Sequence, residues 1–99
     1  MDQPDPTIHQ PVRLKIMAAL RPLPESEKIE FVRLKELVGA TDGNLGAHVT
    51  TLEDAGYIAV EKDFVGKKPR TRVALTKAGR RAFADYTAYL RDIIDGNPG

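Results

Sequence analysis

The sequence predicts one α+β domain, mostly helical, with a helical pair and a β-hairpin between a leading helix and a long closing one. Three observations carry this. The chain has 99 residues, which is room for a single domain. Two short amphipathic runs flank Gly39-Ala40-Thr41 at the spacing of a helix-turn-helix. Two β-rich stretches, Tyr57-Ile58-Ala59-Val60 and Arg72-Val73-Ala74-Leu75, flank a basic, turn-forming segment.

The elements follow in order. Residues 1–6, with prolines at 4 and 6 and no apolar period, read as a flexible arm. Helix 1 is assigned to residues 7–21, and Pro11 suits an early helical turn, where its missing N–H is not needed. Its apolar positions are 12, 14 and 16–20, so it is either central to the core or partly covered by a second chain. Pro22 and Pro24 end it. Ile29-Glu30-Phe31 alternates like a short strand. Helix 2 spans 32–38, with Leu34, Leu37 and Val38 at helical spacing and Gly39 as its stop. Helix 3 spans 42–55: Thr41 can cap it, and Leu45, Val49 and Leu52 form one apolar stripe. A hairpin over 57–75 with a long loop around Gly66-Lys67-Lys68-Pro69-Arg70 comes next. Thr76 caps a last helix over 77–94, closed by Gly96 and Pro98.

Charge is segregated. The net charge is +1, yet residues 66–81 hold seven basic side chains and no acidic one. Such a block suggests an anionic partner.

The order of elements is that of a winged helix-turn-helix with a two- or three-stranded antiparallel wing sheet and a long C-terminal helix. Residues 7–90 also resemble winged-helix regulators near the MarR and ArsR families, in a compact branch of winged-helix DNA-binding domains. The resemblance rests on residues 8–17 (IHQPVRLKIM), Leu45-Gly46-Ala47-His48-Val49 and residues 52–58 (LEDAGYI). Residues 64–71 (FVGKKPRT) and 75–80 (LTKAGR) complete it. It implies a dimeric, sequence-specific regulator of transcription that binds double-stranded DNA.

In a winged helix the second helix of the pair is expected in the major groove, with phosphate contacts from its flanks and the wing. The side of helix 3 opposite its stripe carries Gly43, Gly46, Ala47, Thr50 and Asp54, with Asn44 and His48 on the flanks. Asn44 can read adenine through two hydrogen bonds, or belong only to the helix cap. Ala47 can meet a thymine methyl, Thr50 a phosphate or base edge, and Thr41 and His48 the backbone. Lys67, Lys68, Arg70 and Arg72 make the wing basic, suited to phosphates or a narrow minor groove. Arg80 and Arg81 sit where a helix dipole opposes cations, so phosphate contact is a reason for their placement.

Phe83, Tyr86, Leu90 and Ile93 recur at steps of 3, 4 and 3. With Val12 and Ile16 of helix 1 they are the expected homodimer interface, unless helix 1 of the same chain covers them.

Other classes are disfavoured. Without cysteine there are no disulfides and no thiolate metal sites, and two histidines give no metal cluster. Neither metal nor cofactor is expected. No apolar run suits a membrane span, and no secretory leader is visible, so a cytoplasmic setting is expected. An enzyme would need a nucleophile with a base, or clustered carboxylates. A winged helix that binds protein or RNA is the alternative, and it predicts a neutral or acidic wing. Any small-molecule effector would need a pocket between subunits, with His9, Tyr86 and Tyr89 as candidate lining.

Overall fold

Among the described residues four helices and three strands follow in order: α1 (Pro11–Leu20), β1 (Ile29–Glu30), α2 (Phe31–Val38), α3 (Asp42–Asp54), β2 (Ile58–Val65), β3 (Lys68–Leu75) and α4 (Lys77–Ile94). This is a computed structural model, and it describes residues 4–25 and 27–96. The sheet is antiparallel, in the order β1-β3-β2. It is a winged helix with a three-stranded sheet and a long C-terminal helix.

The core explains why α1 is so apolar. Ile16, Met17 and Leu20 are fully buried, against Leu34 and Val38 of α2 and Leu45, Val49 and Leu52 of α3. Ile58, Val73 and Leu75 close the core from the sheet. The helix is therefore central, and no second chain is needed to cover these three side chains.

The first helix is shorter than the 7–21 expected. Gln10 is extended, its side-chain oxygen accepts from the Arg13 N–H at 2.9 Å, and Pro11 follows at N1. Residues 5–9 instead form a hydrogen-bonded turn. The Asp5 carboxylate accepts from the Thr7 N–H and from the Tyr57 hydroxyl, and the Asp5 carbonyl accepts from the His9 N–H. Ile8 is fully buried. The arm expected over 1–6 is thus tied to the base of β2 from Asp5 onward, while residues 1–3 lie outside the described residues.

The hairpin has no long loop. Both strands run eight residues, and Val65 faces Lys68 across a two-residue turn, Gly66-Lys67. Gly66 takes φ 63°, the conformation that lets so short a turn match the twist of the strands. Pro69 is tolerated because β1 is only two residues long and leaves this part of β3 at a sheet edge.

α4 is seated by its first turns. The Thr76 hydroxyl accepts from the Gly79 N–H and donates to the Gly56 carbonyl. A Cβ on Gly79 would lie 2.0 Å from the Tyr57 carbonyl oxygen, so only glycine permits this approach. Phe83 and Tyr86 then enter the core, and Leu90 packs at its margin. Beyond Leu90 the helix is exposed, and the molecule is elongated, 54 × 26 × 21 Å.

Candidate nucleic-acid interface

The outer side of α3 is bare. Thr41 caps the helix by accepting from the Asn44 N–H at 3.2 Å. This bond uses the Asn44 backbone, and among the described residues the Asn44 side-chain amide has no partner. Asn44, Ala47 and Thr50 are all exposed. A Cβ on Gly43 or Gly46 would meet nothing within 4 Å. Each interior glycine costs the helix about 1 kcal/mol relative to alanine, and no neighbour in the chain requires the space.

His48 is half-buried beside α1. Its Nδ1 accepts from the Arg13 guanidinium at 3.1 Å, and Arg13 also donates to the Thr7 carbonyl. The ring is therefore oriented from within the chain, and Nε2 is left to carry the ring proton.

The wing differs from its expected form. Strand pairing sets Glu61 opposite Arg72 and Asp63 opposite Arg70. Arg70 grips Asp63 with two bonds, of 2.9 and 2.7 Å. Arg72 bonds Glu61 and reaches Asp63 at 3.3 Å, and Lys28 holds Glu61 at 2.9 Å. The hydrogen bond from Lys28, with Arg72 nearby, holds the Glu61 carboxyl below its usual range. The bond from Arg70 does the same for Asp63 and in turn raises Arg70. Arg70 and Arg72, expected to meet DNA, are thus occupied on one face of the hairpin. Within the basic block at 66–81 these two arginines looked unopposed because their acidic partners lie earlier, at 61 and 63.

What stays exposed is the wing tip. Lys62, Lys67 and Lys68 make no ion pair with the described residues. Phe64 and Val65, assigned to no role from sequence, are 70% and 56% exposed there. The spacing Glu61-x-Asp63 against Arg70-x-Arg72 was the available signal for the register that puts them at the tip.

Arg80 is also occupied. Its guanidinium donates to the Leu23 carbonyl at 2.6 Å and the Arg21 carbonyl at 3.3 Å, clamping the end of α1. This explains a cation in the first turn of α4 without a phosphate.

The expected dimer positions divide. Ile16 is fully buried, Phe83 is 8% and Tyr86 3% exposed, so the core of the same chain takes them. The Tyr86 hydroxyl also lies 2.7 Å from His9 Nδ1. A heptad spacing and a core-facing stripe are the same pattern, and here the stripe is core. Val12 and Leu90 are half-buried, and Ile93 and Ile94 are 58% and 80% exposed.

Among the described residues no group of His, Asp or Glu could hold a metal ion, and no helix is long and apolar enough to cross a membrane. An open groove beside α2 is lined by Lys28, Ile29, Glu30, Val32, Arg33 and Glu36. None of these residues belongs to α3 or the wing tip.

A family model described as a winged helix DNA-binding domain matches residues 12–94. The chain belongs to this family. An uncharacterized protein of Methanocaldococcus jannaschii is 40% identical over 75 residues, covering 76% of this chain and 78% of that one. Among solved structures, a transcriptional regulator homologue from Pyrococcus horikoshii OT3 superposes with a TM-score of 0.80 at 32% identity, over 91% of this chain and 86% of that one. A MarR-family regulator from Silicibacter pomeroyi shares the fold at a TM-score of 0.69 and 20% identity, over 87% of this chain and 55% of its own. The present protein is a winged-helix DNA-binding chain with the fold that the MarR-family regulators share. Its family and fold are those of regulators, which are not enzymes.

Proposed function

We propose that the chain reads a specific sequence in double-stranded DNA as a homodimer, with α3 in the major groove and the wing tip on the flanking phosphates and minor groove. The observation that carries this is the outer side of α3. It presents an exposed amide at Asn44 with no partner among the described residues, and exposed Ala47 and Thr50, over the open space at Gly43 and Gly46. Such a side lets the helix backbone come close to base edges, where a bidentate amide is worth about 1–3 kcal/mol of discrimination. Thr41 and His48, on its flanks, would meet the phosphates beside it. The lysines of the wing tip supply the sequence-independent attraction.

Dimerisation is supported by the far end of α4. Leu90, Ile93 and Ile94 lie at i, i+3 and i+4 and form one apolar patch, with Val12 the candidate neighbour from α1. A two-fold axis there relates the two recognition helices, and inverted half-sites about 10 base pairs apart follow. The cytoplasm, where a regulator meets its DNA, is the corresponding location.

In vitro selection from a random duplex pool tests the reading. It should return an inverted repeat, and Asn44→Ala should weaken binding to that site by about 1–3 kcal/mol while leaving random DNA unaffected. Equal loss on both would reduce Asn44 to a backbone contact, and no enrichment would end the proposal.

A further inference from the structure

The hairpin has two faces, and they end differently. One carries the ion pairs of Glu61, Asp63, Arg70 and Arg72. The other begins as the core face, with Ile58 and Val60 opposite Leu75 and Val73. Followed outward, that second face continues through Lys62 to Phe64, opposite Pro69. Phe64 stands six residues beyond Ile58, roughly 20 Å along the strand. No part of the body covers it, and its ring is 70% exposed.

We propose that Phe64 is an apolar wedge that the wing presses into the minor groove of duplex DNA. This rests on the DNA-reading function above and names a contact that function does not require. The argument is complementarity. The register of the hairpin is already set by two cross-strand ion pairs and a two-residue turn, and does not need an exposed phenyl ring at its end. Lys62 shares the ring's face, Lys67 sits in the adjoining turn and Lys68 opens the partner strand, and none of the three makes an ion pair with the described residues. A partner must therefore be anionic at its rims and accept an apolar group between them. The minor groove has that form, with phosphates along both edges and sugars and base steps within, and apolar side chains can unstack a step there.

Rigidity completes the argument. The two-bonded Arg70–Asp63 pair lies directly behind the tip. The strand that carries the ring is held in place before binding, which lowers the ordering cost of inserting it. Specificity from such a wedge falls on steps the protein never hydrogen-bonds, favouring the easily unstacked pyrimidine–purine steps.

The test uses the duplex selected by the native chain, with 2-aminopurine placed in turn at each flanking position. Binding of the native chain should brighten the probe at one flanking step, where stacking is lost. Phe64→Ala should abolish the brightening and weaken binding about tenfold, the scale of one buried aromatic ring less the unstacking cost, with the salt slope unchanged. Phe64→Leu should keep most of both. Lys67→Ala with Lys68→Ala should instead lower the salt slope by about 1.8. Phe64→Ala alters only exposed surface, and a thermal melt checks that it folds. Native affinity and brightening in Phe64→Ala overturn the wedge and leave DNA reading intact. Phe64-dependent binding to phosphatidylserine vesicles, with DNA binding indifferent to Phe64, overturns it in favour of a membrane contact. If the native chain enriches no duplex and the lysine variant changes nothing, DNA reading fails, and the wedge with it.

Discussion

The wing and α4 both leave the body of the molecule, and they do so on opposite principles. The wing is stiffened by charge: Lys28, just before β1, joins Glu61 and Asp63 of β2 and Arg70 and Arg72 of β3 in one ladder. α4 is fixed by apolar fit, through Gly79 against the Tyr57 carbonyl and through Phe83 and Tyr86 in the core. Their free ends differ correspondingly. The wing ends in lysines around an aromatic ring, and α4 ends in two isoleucines. A polar projection with a basic tip suits a polyanion, whereas an apolar one suits another protein surface. What an exposed segment can bind is legible in what its supporting contacts leave unused.

The largest expected effect comes from removing the apolar end. Ile93→Glu with Ile94→Glu alters exposed side chains, so each chain should fold normally. Like charges brought together at the two-fold axis should yield monomers by light scattering. Affinity for the inverted site should fall by 100-fold or more, on the order of what a tethered second half-site supplies. If the native chain already scatters as a single chain, the end of α4 needs no partner, and the contrast with the wing is lost.

Next comes the anchor of α4. Gly79→Ala places a methyl 2.0 Å from backbone oxygen, and overpacking of this kind costs about 1–3 kcal/mol or more. The midpoint of thermal unfolding should fall by roughly 4–8 °C for each kcal/mol lost. Gly46→Ala is the paired experiment. Its methyl meets open space, so the fold should gain about 1 kcal/mol, while the selected site should be bound less well. Equal melting shifts in the two variants would remove the close approach at Gly79.

Much of this architecture was legible beforehand. The tight turn around Gly39, the cap at Thr41 and the stripe of Leu45, Val49 and Leu52 are local signals, and local signals fix a helix-turn-helix. The wing was misjudged because Gly66 and Pro69 mark a turn without stating its length. The length is set by partners on the opposite strand, which a count of charges along the chain does not pair. Arg70, Arg72 and Arg80 looked available for the same reason: their acceptors lie 7, 11 and 57 positions away in sequence. Phe83 and Tyr86 carried an ambiguous period, since a helix facing its own core and a helix facing a partner share one spacing.

The ion-pair ladder gives a smaller, signed effect. Asp63→Asn releases Arg70 and removes a negative charge from the wing. The log–log salt slope of DNA binding should steepen by about 0.9 if the arginine then finds a phosphate. Arg70→Ala in the otherwise native chain should leave the slope almost unchanged, because that guanidinium is already occupied. A slope reduced by about 0.9 in Arg70→Ala would mean that Arg70 exchanges Asp63 for a phosphate on binding. The ladder face, and not the face of Phe64, would then be the one that meets DNA.

The smallest expected effect lies at Tyr57, where the wing, α4 and the N-terminal segment meet. Its carbonyl accepts from the Thr76 N–H and abuts Gly79, while its hydroxyl donates to the Asp5 carboxylate. A phenolate there would face that carboxylate with no proton between them. The hydrogen bond to Asp5, followed by burial and the Asp5 charge, lifts the Tyr57 pKa from 10.0 to about 12. The folded chain thus holds this proton more tightly than the unfolded chain does. The stabilisation is complete below pH 10 and is lost as pH rises from 10 towards about 12. Tyr86 is also raised, by burial and by Tyr89, so a native background slope remains. Tyr57→Phe should therefore be less stable than the native chain at pH 9 and approach it at pH 11.5, in urea titrations run at both. A gap between the two chains that is the same at both pH values would detach Asp5 from Tyr57, and the wing base would then be held by backbone bonds alone.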